Sequence, residues 1–210
     1  SCKSRTYTRM RSFKYQYLKL KLEEDFYNNL VDIINESQAA DGEGKIKEEL
    51  SLTKGKVMNG DNDARSCYLS FIDNQKLYKL LYPLVQLANS KLEWDLDVDY
   101  LEPVQYTVYN PGDFYDWHLD EGSWVRNSRD NNRIRKISYS IVLPSEFEGG
   151  DFILDTRSVP KESESEHVKN LELGPRSCVF FASDTPHTVL PVTSGVRKSL
   201  VGWAQGPAFK

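Results

Sequence analysis

The sequence predicts a mainly β protein with flanking helices, on three observations. After residue 100, eight short runs rich in Val, Ile, Tyr, Phe and Trp recur between turn signals. Before residue 100, two stretches place apolar residues at helical spacing. Aromatic residues make up 12% and charged residues 28% of the 210 residues, the balance of a globular chain with a sizeable core.

The elements follow in order. Residues 13 to 20, FKYQYLKL, alternate apolar and polar and read as a strand. EEDFYNNLVDIINES sets Phe26, Leu30, Ile33 and Ile34 on one helical face, with Glu23, Glu24 and Asp25 at its positive N-terminal end. Residues 40 to 66 are polar and glycine-bearing and read as a loop. A second helix is expected over 73 to 92, capped by Asp73 and kinked or divided at Pro83. The eight runs are EPVQYTVY, FYDWHL, RKISYSIVL, DFILD, LEL, CVFFA, HTVLPV and VRKSLVGW. Runs this short and frequent suggest a sandwich or barrel. The polar segments 122 to 134 and 157 to 170 read as rim loops or lids. Residues 1–100 are thus expected to supply a strand and helices that support a β core in 101–210, within one structural domain.

Composition narrows the function. A net charge of −4, from 27 basic and 31 acidic residues, gives no general reason to expect a nucleic-acid partner. No run approaches the ~20 apolar residues of a membrane span. The basic opening, SCKSRTYTRMRS, lacks the apolar run of a signal peptide. Cys2, Cys67 and Cys178 are odd in number and match no zinc or disulfide spacing, and Cys178 in SCVFFA reads as a small buried apolar residue. A reducing, cytoplasmic setting is the expectation.

The chemistry centres on YDWHLDEGSWVRN. His118 and Asp120 stand two apart, and on a strand such residues share a face. They could offer one nitrogen and one carboxylate oxygen to a single ion, form an ion pair, or be chance neighbours. His187, opening a strand after FFASDTP, could complete a set of two histidines and one carboxylate. His167 sits in polar SESEHVKN and reads as solvated. Two histidines and one carboxylate suit non-haem Fe(II) with open positions, and also zinc used for hydrolysis. Arg197 discriminates between them. With Thr193, Ser194 and Gly195 as a turn, its strand is expected to pair with that of His187, and Ser199 shares its face. A guanidinium there can grip a carboxylate at two points, which a hydrolase has no evident need to do.

Here the sequence resembles the Fe(II)- and 2-oxoglutarate-dependent dioxygenases, most closely the prolyl 4-hydroxylase-like branch. YNPGDFYDWHLD is similar to that branch's tyrosine, glycine, tyrosine approach to His-x-Asp. EGGDFIL resembles its glycine pair before a strand, and TPHTVLPVTSGVRKSLVGW its closing motif. The resemblance covers roughly residues 103 to 204. It implies a double-stranded β-helix, a jelly-roll-like, cupin-like core, with Fe(II) held by His118, Asp120 and His187. It also implies that Arg197 binds the distal carboxylate of 2-oxoglutarate, with Tyr109 nearby and Ser199 beside the clamp. Tyr115 and Trp203 are expected near the substrate. Relatives often carry a further tyrosine against the co-substrate where this chain has Val142, with Ser138 and Ser140 on the same face.

The implied reaction is hydroxylation of a C–H bond with O2 as oxidant, release of succinate and CO2, and ascorbate as a candidate reductant. The branch points to a prolyl residue of a peptide or protein, with Arg65 and Trp124 as candidate substrate contacts. Two other readings stay open: the same chemistry on a small molecule or nucleic acid, and a non-catalytic jelly-roll binding protein.

Overall fold

The structure, a computed structural model, describes residues 17–40, 53–59, 62–121, 133–156 and 167–208. In chain order the elements are β1 (Tyr17–Lys21), α1 (Glu24–Ala40), β2 (Thr53–Asn59), β3 (Asn62–Ile72), α2 (Gln75–Lys91), β4 (Tyr100–Leu101), β5 (Val104–Tyr109), β6 (Phe114–His118) and β7 (Arg133–Val142). There follow β8 (Phe147–Gly149), β9 (Phe152–Asp155), β10 (Val168–Asn170), β11 (Ser177–Ala182), β12 (His187–Val189), β13 (Val192–Gly195) and β14 (Arg197–Pro207). Twelve strands form one sheet in the order β1-β11-β7-β14-β5-β3-β6-β12-β9-β10, with β2 on β3 and β4 on β14. Among the described residues β13 and β8 pair separately from it.

Every pairing is antiparallel, and the sheet curls into the half-barrel of a jelly roll. Period-two alternation gives its two faces different chemistry. On β7, Ile137, Tyr139 and Ile141 face the helices, while Val142 belongs to the inner cluster and the Ser138 hydroxyl meets Ser183. On β11, Cys178, Phe180 and Ala182 face the helices, and Val179 and Phe181 the interior. On β14, Leu200 and Ala204 face the helices, and Arg197 and Ser199 bond to each other on the opposite side.

The helices cover the convex face. α1 buries Tyr27, Leu30, Ile33 and Ile34, and the Tyr27 hydroxyl donates to the Val142 carbonyl at 2.8 Å. α2 buries Leu77, Leu81, Val85 and Ala88. Its cap is Asn74 rather than Asp73: Asn74 Oδ1 accepts from the Lys76 amide at 2.8 Å, and its amide donates to Ser37 Oγ on α1 at 2.7 Å. Asp73 instead accepts from the Tyr78 hydroxyl. Pro83 does not divide α2, which runs unbroken from 75 to 91. An interior proline costs roughly 3 kcal/mol, and burial of Leu81 and Val85 on either side offsets it.

Two further expectations are corrected. Within the expected loop of residues 40 to 66, residues 53–59 form β2 and residues 62–66 begin β3, which pairs with β2 and sits inside the sheet between β5 and β6. His167 is buried, not solvated: its carbonyl accepts from the Thr156 amide and hydroxyl, both at 2.9 Å. Residues 13–16, 41–52 and most of the expected rim loops lie outside the described residues.

Candidate metal and co-substrate site

The site is built where β6 meets β12. β5 ends at Tyr109 and a tight turn follows. The Asp113 amide donates to the Asn110 carbonyl at 2.9 Å, and the Asn110 amide to Asp113 Oδ2 at 2.8 Å. Gly112 occupies the left-handed region at φ +87°, which glycine adopts without strain. Asp113 Oδ1 also takes the Ser66 hydroxyl of β3 at 2.5 Å, fixing where β6 begins.

At the other end of β6, His118 stands directly opposite His187 in the β6–β12 register. The next segment is tied to the turn that leads into His187: the Asp120 and Glu121 amides both donate to the Ser183 carbonyl, at 3.0 and 2.9 Å. Distant stretches of sequence are thereby clamped backbone to backbone.

The three side chains converge. His118 Nε2 lies 3.8 Å from Asp120 Oδ1 and His187 Nε2 lies 3.5 Å from Asp120 Oδ2. One ligand atom from each of His118, Asp120 and His187 falls within 4.8 Å of the others, the spacing of groups able to share one ion. His118 Nδ1 faces the Asp116 carbonyl at 2.8 Å, and His187 Nδ1 the Thr185 carbonyl at 3.0 Å. Those contacts place the proton on Nδ1 and leave each Nε2 lone pair directed at the shared point. Burial, and then the neighbouring His187, push the His118 pKa down to about 3, so the ring is neutral at pH 7. Burial alone would raise the Asp120 pKa, but the His187 and His118 rings outweigh it and hold the carboxyl below its ordinary value. Neutral imidazoles and an ionised carboxylate are the forms that ligate a cation. Asp120 Oδ2 is buried without a hydrogen-bond partner among the described residues.

The walls are aromatic. Tyr115 stacks on His118 with ring centroids 3.4 Å apart and 12° between planes. Phe181 meets His187 edge-on at 4.6 Å, and Phe152 lies 5.6 Å from it. The Arg65 guanidinium sits 4.4 Å over the Tyr115 ring, so a cation, a phenol and an imidazole form a three-layer stack.

Arg197 lies deeper on the same concave face, only 1% exposed. It stands opposite Tyr109 in the β14–β5 register, 5.5 Å over that ring and 5.9 Å from the Phe147 ring. Nη1 donates to Ser199 Oγ at 3.2 Å, while Nε and Nη2 have no partner among the described residues. Burial lowers its pKa. The second glycine of EGGD has a direct role: a Cβ on Gly150 would come within 2.8 Å of Arg197 Cδ.

The expected route to this convergence is corrected. Arg197 is not on the strand beside His187. β12 pairs with β6 and β9, whereas β14 pairs with β5, β7 and β4. Thr193, Ser194 and Gly195 are not a hairpin turn; they leave the main sheet to pair with β8. Three strands stand between β12 and β14, and the curl of the sheet brings both to one concave face.

Residues 104–205 match the sequence model of the 2OG-Fe(II) oxygenase superfamily. That match takes in all three triad residues and Arg197 and covers just under half of the chain. It is 34% identical over 96 residues to a PKHD-type hydroxylase of Synechococcus sp. (strain CC9605), covering 45% of this chain and 37% of the relative. It is 32% identical over 127 residues to a PKHD-type hydroxylase of Stenotrophomonas maltophilia (strain R551-3), covering 58% and 52%. The matches thus span about 37% to 52% of these relatives' own lengths. A Pseudomonas putida prolyl-4-hydroxylase shares the fold at TM-score 0.59 and 20% identity, covering 94% of this chain and 95% of that one. A viral collagen prolyl hydroxylase from Paramecium Bursaria Chlorella virus-1 does so at TM-score 0.60 and 16% identity, covering 92% and 97%.

A 2OG-Fe(II) oxygenase takes Fe(II) and 2-oxoglutarate, and the residues present fit both. An open two-histidine, one-carboxylate set suits the ion. A buried guanidinium with Nε and Nη2 unpartnered among the described residues suits an anionic co-substrate.

Of the expected site residues, His118, Asp120, His187, Tyr115 and Arg65 gather in one contact group. Arg197, Ser199 and Tyr109 form a second, deeper one. Trp203 lies in the interior against Arg135. Ser138 lies against Ser183 and near the Asp120 carboxylate. Trp124 lies outside the described residues. The sequence reading missed Ser66, Cys67, Phe152 and Phe181. The period-two alternation of ARSCYLSFI was the available signal for the first two. Among the described residues no helix is long and apolar enough to cross a membrane.

Proposed function

We propose that the protein is an Fe(II)- and 2-oxoglutarate-dependent dioxygenase that hydroxylates a prolyl residue of a peptide or protein. In that reading His118, Asp120 and His187 hold the iron, and Arg197, with Ser199 beside it and Tyr109 against it, grips the distal carboxylate of 2-oxoglutarate. The observation that carries it is Arg197. A guanidinium this buried, with two nitrogens unpaired among the described residues, is costly unless an anion arrives. A zinc hydrolase would leave that cation without use.

Iron held by His118, Asp120 and His187 would supply oxygen activation, one atom of O2 going to the substrate C–H bond and the other to succinate with release of CO2. The protein's own residues do the rest. Arg197 orients the co-substrate, Phe152, Phe181 and Tyr115 exclude water around the histidines, and Asp120 stays ionised to complete the ligand set. Arg65, at the outer layer of the Tyr115–His118 stack with Nη2 unpartnered among the described residues, would receive a carbonyl or carboxylate of the substrate. Relatives named as prolyl hydroxylases support the substrate class. One of similar fold is described in complex with a hypoxia inducible factor oxygen degradation domain peptide fragment, at TM-score 0.57. The chain is read as one structural domain in which α1 and α2 support the sheet, while β3, from the first hundred residues, is itself one of its inner strands.

The test is succinate release on incubation with Fe(II), ascorbate and 2-oxoglutarate, with and without proline-rich peptides, followed by mass spectrometry for one added oxygen. Succinate that depends on peptide and disappears in His187→Ala supports the reading. Succinate unaffected by any peptide moves the substrate to a small molecule or nucleic acid, and no succinate at all overturns the oxygenase reading.

A further inference from the structure

β6 is irregular where its two stacked rings stand. Tyr115 lies opposite Val189 and His118 opposite His187, so three steps along β6 span two along β12. Residues three apart on a regular strand point to opposite faces. The extra residue of a bulge re-aims the side chain that follows it. Here it turns His118 back to the side of Tyr115. The rings stack with centroids 3.4 Å apart and 12° between planes, while Asp116 and Trp117 between them are both exposed. Thr188, the β12 residue between His187 and Val189, donates its hydroxyl to the Tyr115 carbonyl at 2.7 Å and so ties the bulge to β12.

The other side of Tyr115 is covered from β3. Arg65 stands opposite Tyr115 in the β3–β6 register, with its guanidinium 4.4 Å over the ring. Its Nε donates to Cys67 Sγ at 2.9 Å, two residues along the same buried face. Tyr115 is thus held between an anchored cation and an imidazole.

Two contacts then act on the His118 ring. The Asp116 carbonyl, 2.8 Å from Nδ1, sets the direction of the ring within its plane. Tyr115 sets the plane itself. His187 has Phe181 and Phe152 against it, whereas His118 has the more exposed side chain, 15% against 6%.

We propose that the β6 bulge and the Arg65–Tyr115 stack form a positioning device, which fixes the plane of His118 so that Nε2 stays directed at the point shared with Asp120 and His187. Tyr115 acts on the ligand directly, Arg65 through Tyr115, and Thr188 through the bulge. All three are positioning residues, and none is a metal ligand. The inference rests on the triad being a metal site, as in the proposed function.

The test is calorimetric titration with Mn(II), and the visible spectrum with Co(II), for wild type, Tyr115→Phe, Tyr115→Leu and Arg65→Met. Each titration is run well below the thermal midpoint of the metal-free variant, so that folded protein is compared with folded protein. Tyr115→Leu keeps apolar volume and loses the flat ring. It is expected to weaken Mn(II) binding about 10- to 100-fold, the range for residues that orient metal ligands, and to shift the Co(II) bands. Tyr115→Phe keeps the ring and is expected to restore both to wild type. Arg65→Met should weaken binding in the same direction and by less. The double variant Arg65→Met/Tyr115→Leu should bind no more weakly than Tyr115→Leu, because Arg65 acts through the ring. Mn(II) binding as tight as wild type in Tyr115→Leu overturns the device, and so does Tyr115→Phe binding as weakly as Tyr115→Leu. If Tyr115→Leu fails to fold, wild-type affinity in Arg65→Met overturns it. Wild type that binds Mn(II) in a His187-dependent way yet makes no succinate refutes the proposed function, and the variants still decide the device. Wild type that binds no Mn(II) refutes both.

Discussion

The two faces of the main sheet are made by the same strands and do opposite work. On the convex face Ile137, Tyr139, Ile141, Phe180 and Leu200 meet the apolar stripes of α1 and α2. On the concave face the same strands present Ser138, Phe181, Arg197, Ser199 and Trp203. One face is sealed by apolar burial. The other carries ionisable groups with buried atoms unpartnered among the described residues, including Asp120 Oδ2 and two nitrogens of Arg197, whereas the unpartnered Tyr139 hydroxyl on the convex face is neutral. Stability is concentrated on the first face, and the second holds groups that are satisfied only by something bound.

That contrast can be broken at several points. The largest effect is expected from His187→Ala, which removes a ligand and should abolish metal uptake and succinate formation while leaving the far-ultraviolet circular dichroism unchanged. Arg197→Met should separate the two concave sites: Mn(II) binding persists, but 2-oxoglutarate no longer raises the thermal midpoint. In wild type that ligand should stabilise by about 2.7 kcal/mol at a hundred times its Kd. The same variant should be as stable as wild type or more so without ligand, by up to roughly 4 kcal/mol, because an unpaired buried charge is gone. Urea unfolding reads both.

On the convex face the sign reverses. Leu81→Ala should lower stability by about 2–5 kcal/mol without changing metal affinity per folded molecule. Gly202→Ala should cost about 1–3 kcal/mol or more by overpacking, since its Cβ would fall 2.1 Å from the buried Tyr139 hydroxyl. The smallest effect belongs to the α2 cap, where Asn74→Ala should cost about 1 kcal/mol, measured as a shift in the urea midpoint. A convex variant that lost metal affinity while fully folded would show that the faces are coupled.

Legibility in the sequence divides along the same line. The convex stripes were readable because helix and strand periods mark apolar residues against polar ones: Leu30, Ile33 and Ile34 were expected and are buried. The start of β3, up to residue 66, was read as loop because it is polar, with Arg65 among its inward residues, and its partner β2 carries glycine, so the apolar contrast that marks a strand is weak. The second glycine of EGGD was visible as a motif, but its purpose, leaving room for the Arg197 stem, needs Gly150 and Arg197 in contact. His167 was misjudged because its polar neighbours in sequence are not its neighbours in space.

The residue types and spacings alone determined that His118, Asp120, His187 and Arg197 were the groups to watch, because few arrangements of two imidazoles, a carboxylate and a guanidinium have another use. Strand adjacency was decided only by the tertiary structure. Consecutive strands usually pair, which favoured a β12–β14 hairpin, but β13 leaves to join β8, and β12 and β14 end with three strands between them. Local sequence fixes which face of a strand a side chain takes, through a period of two residues. Which strands lie side by side depends on long-range hydrogen bonding and on the curl of the whole sheet, and no short stretch encodes either.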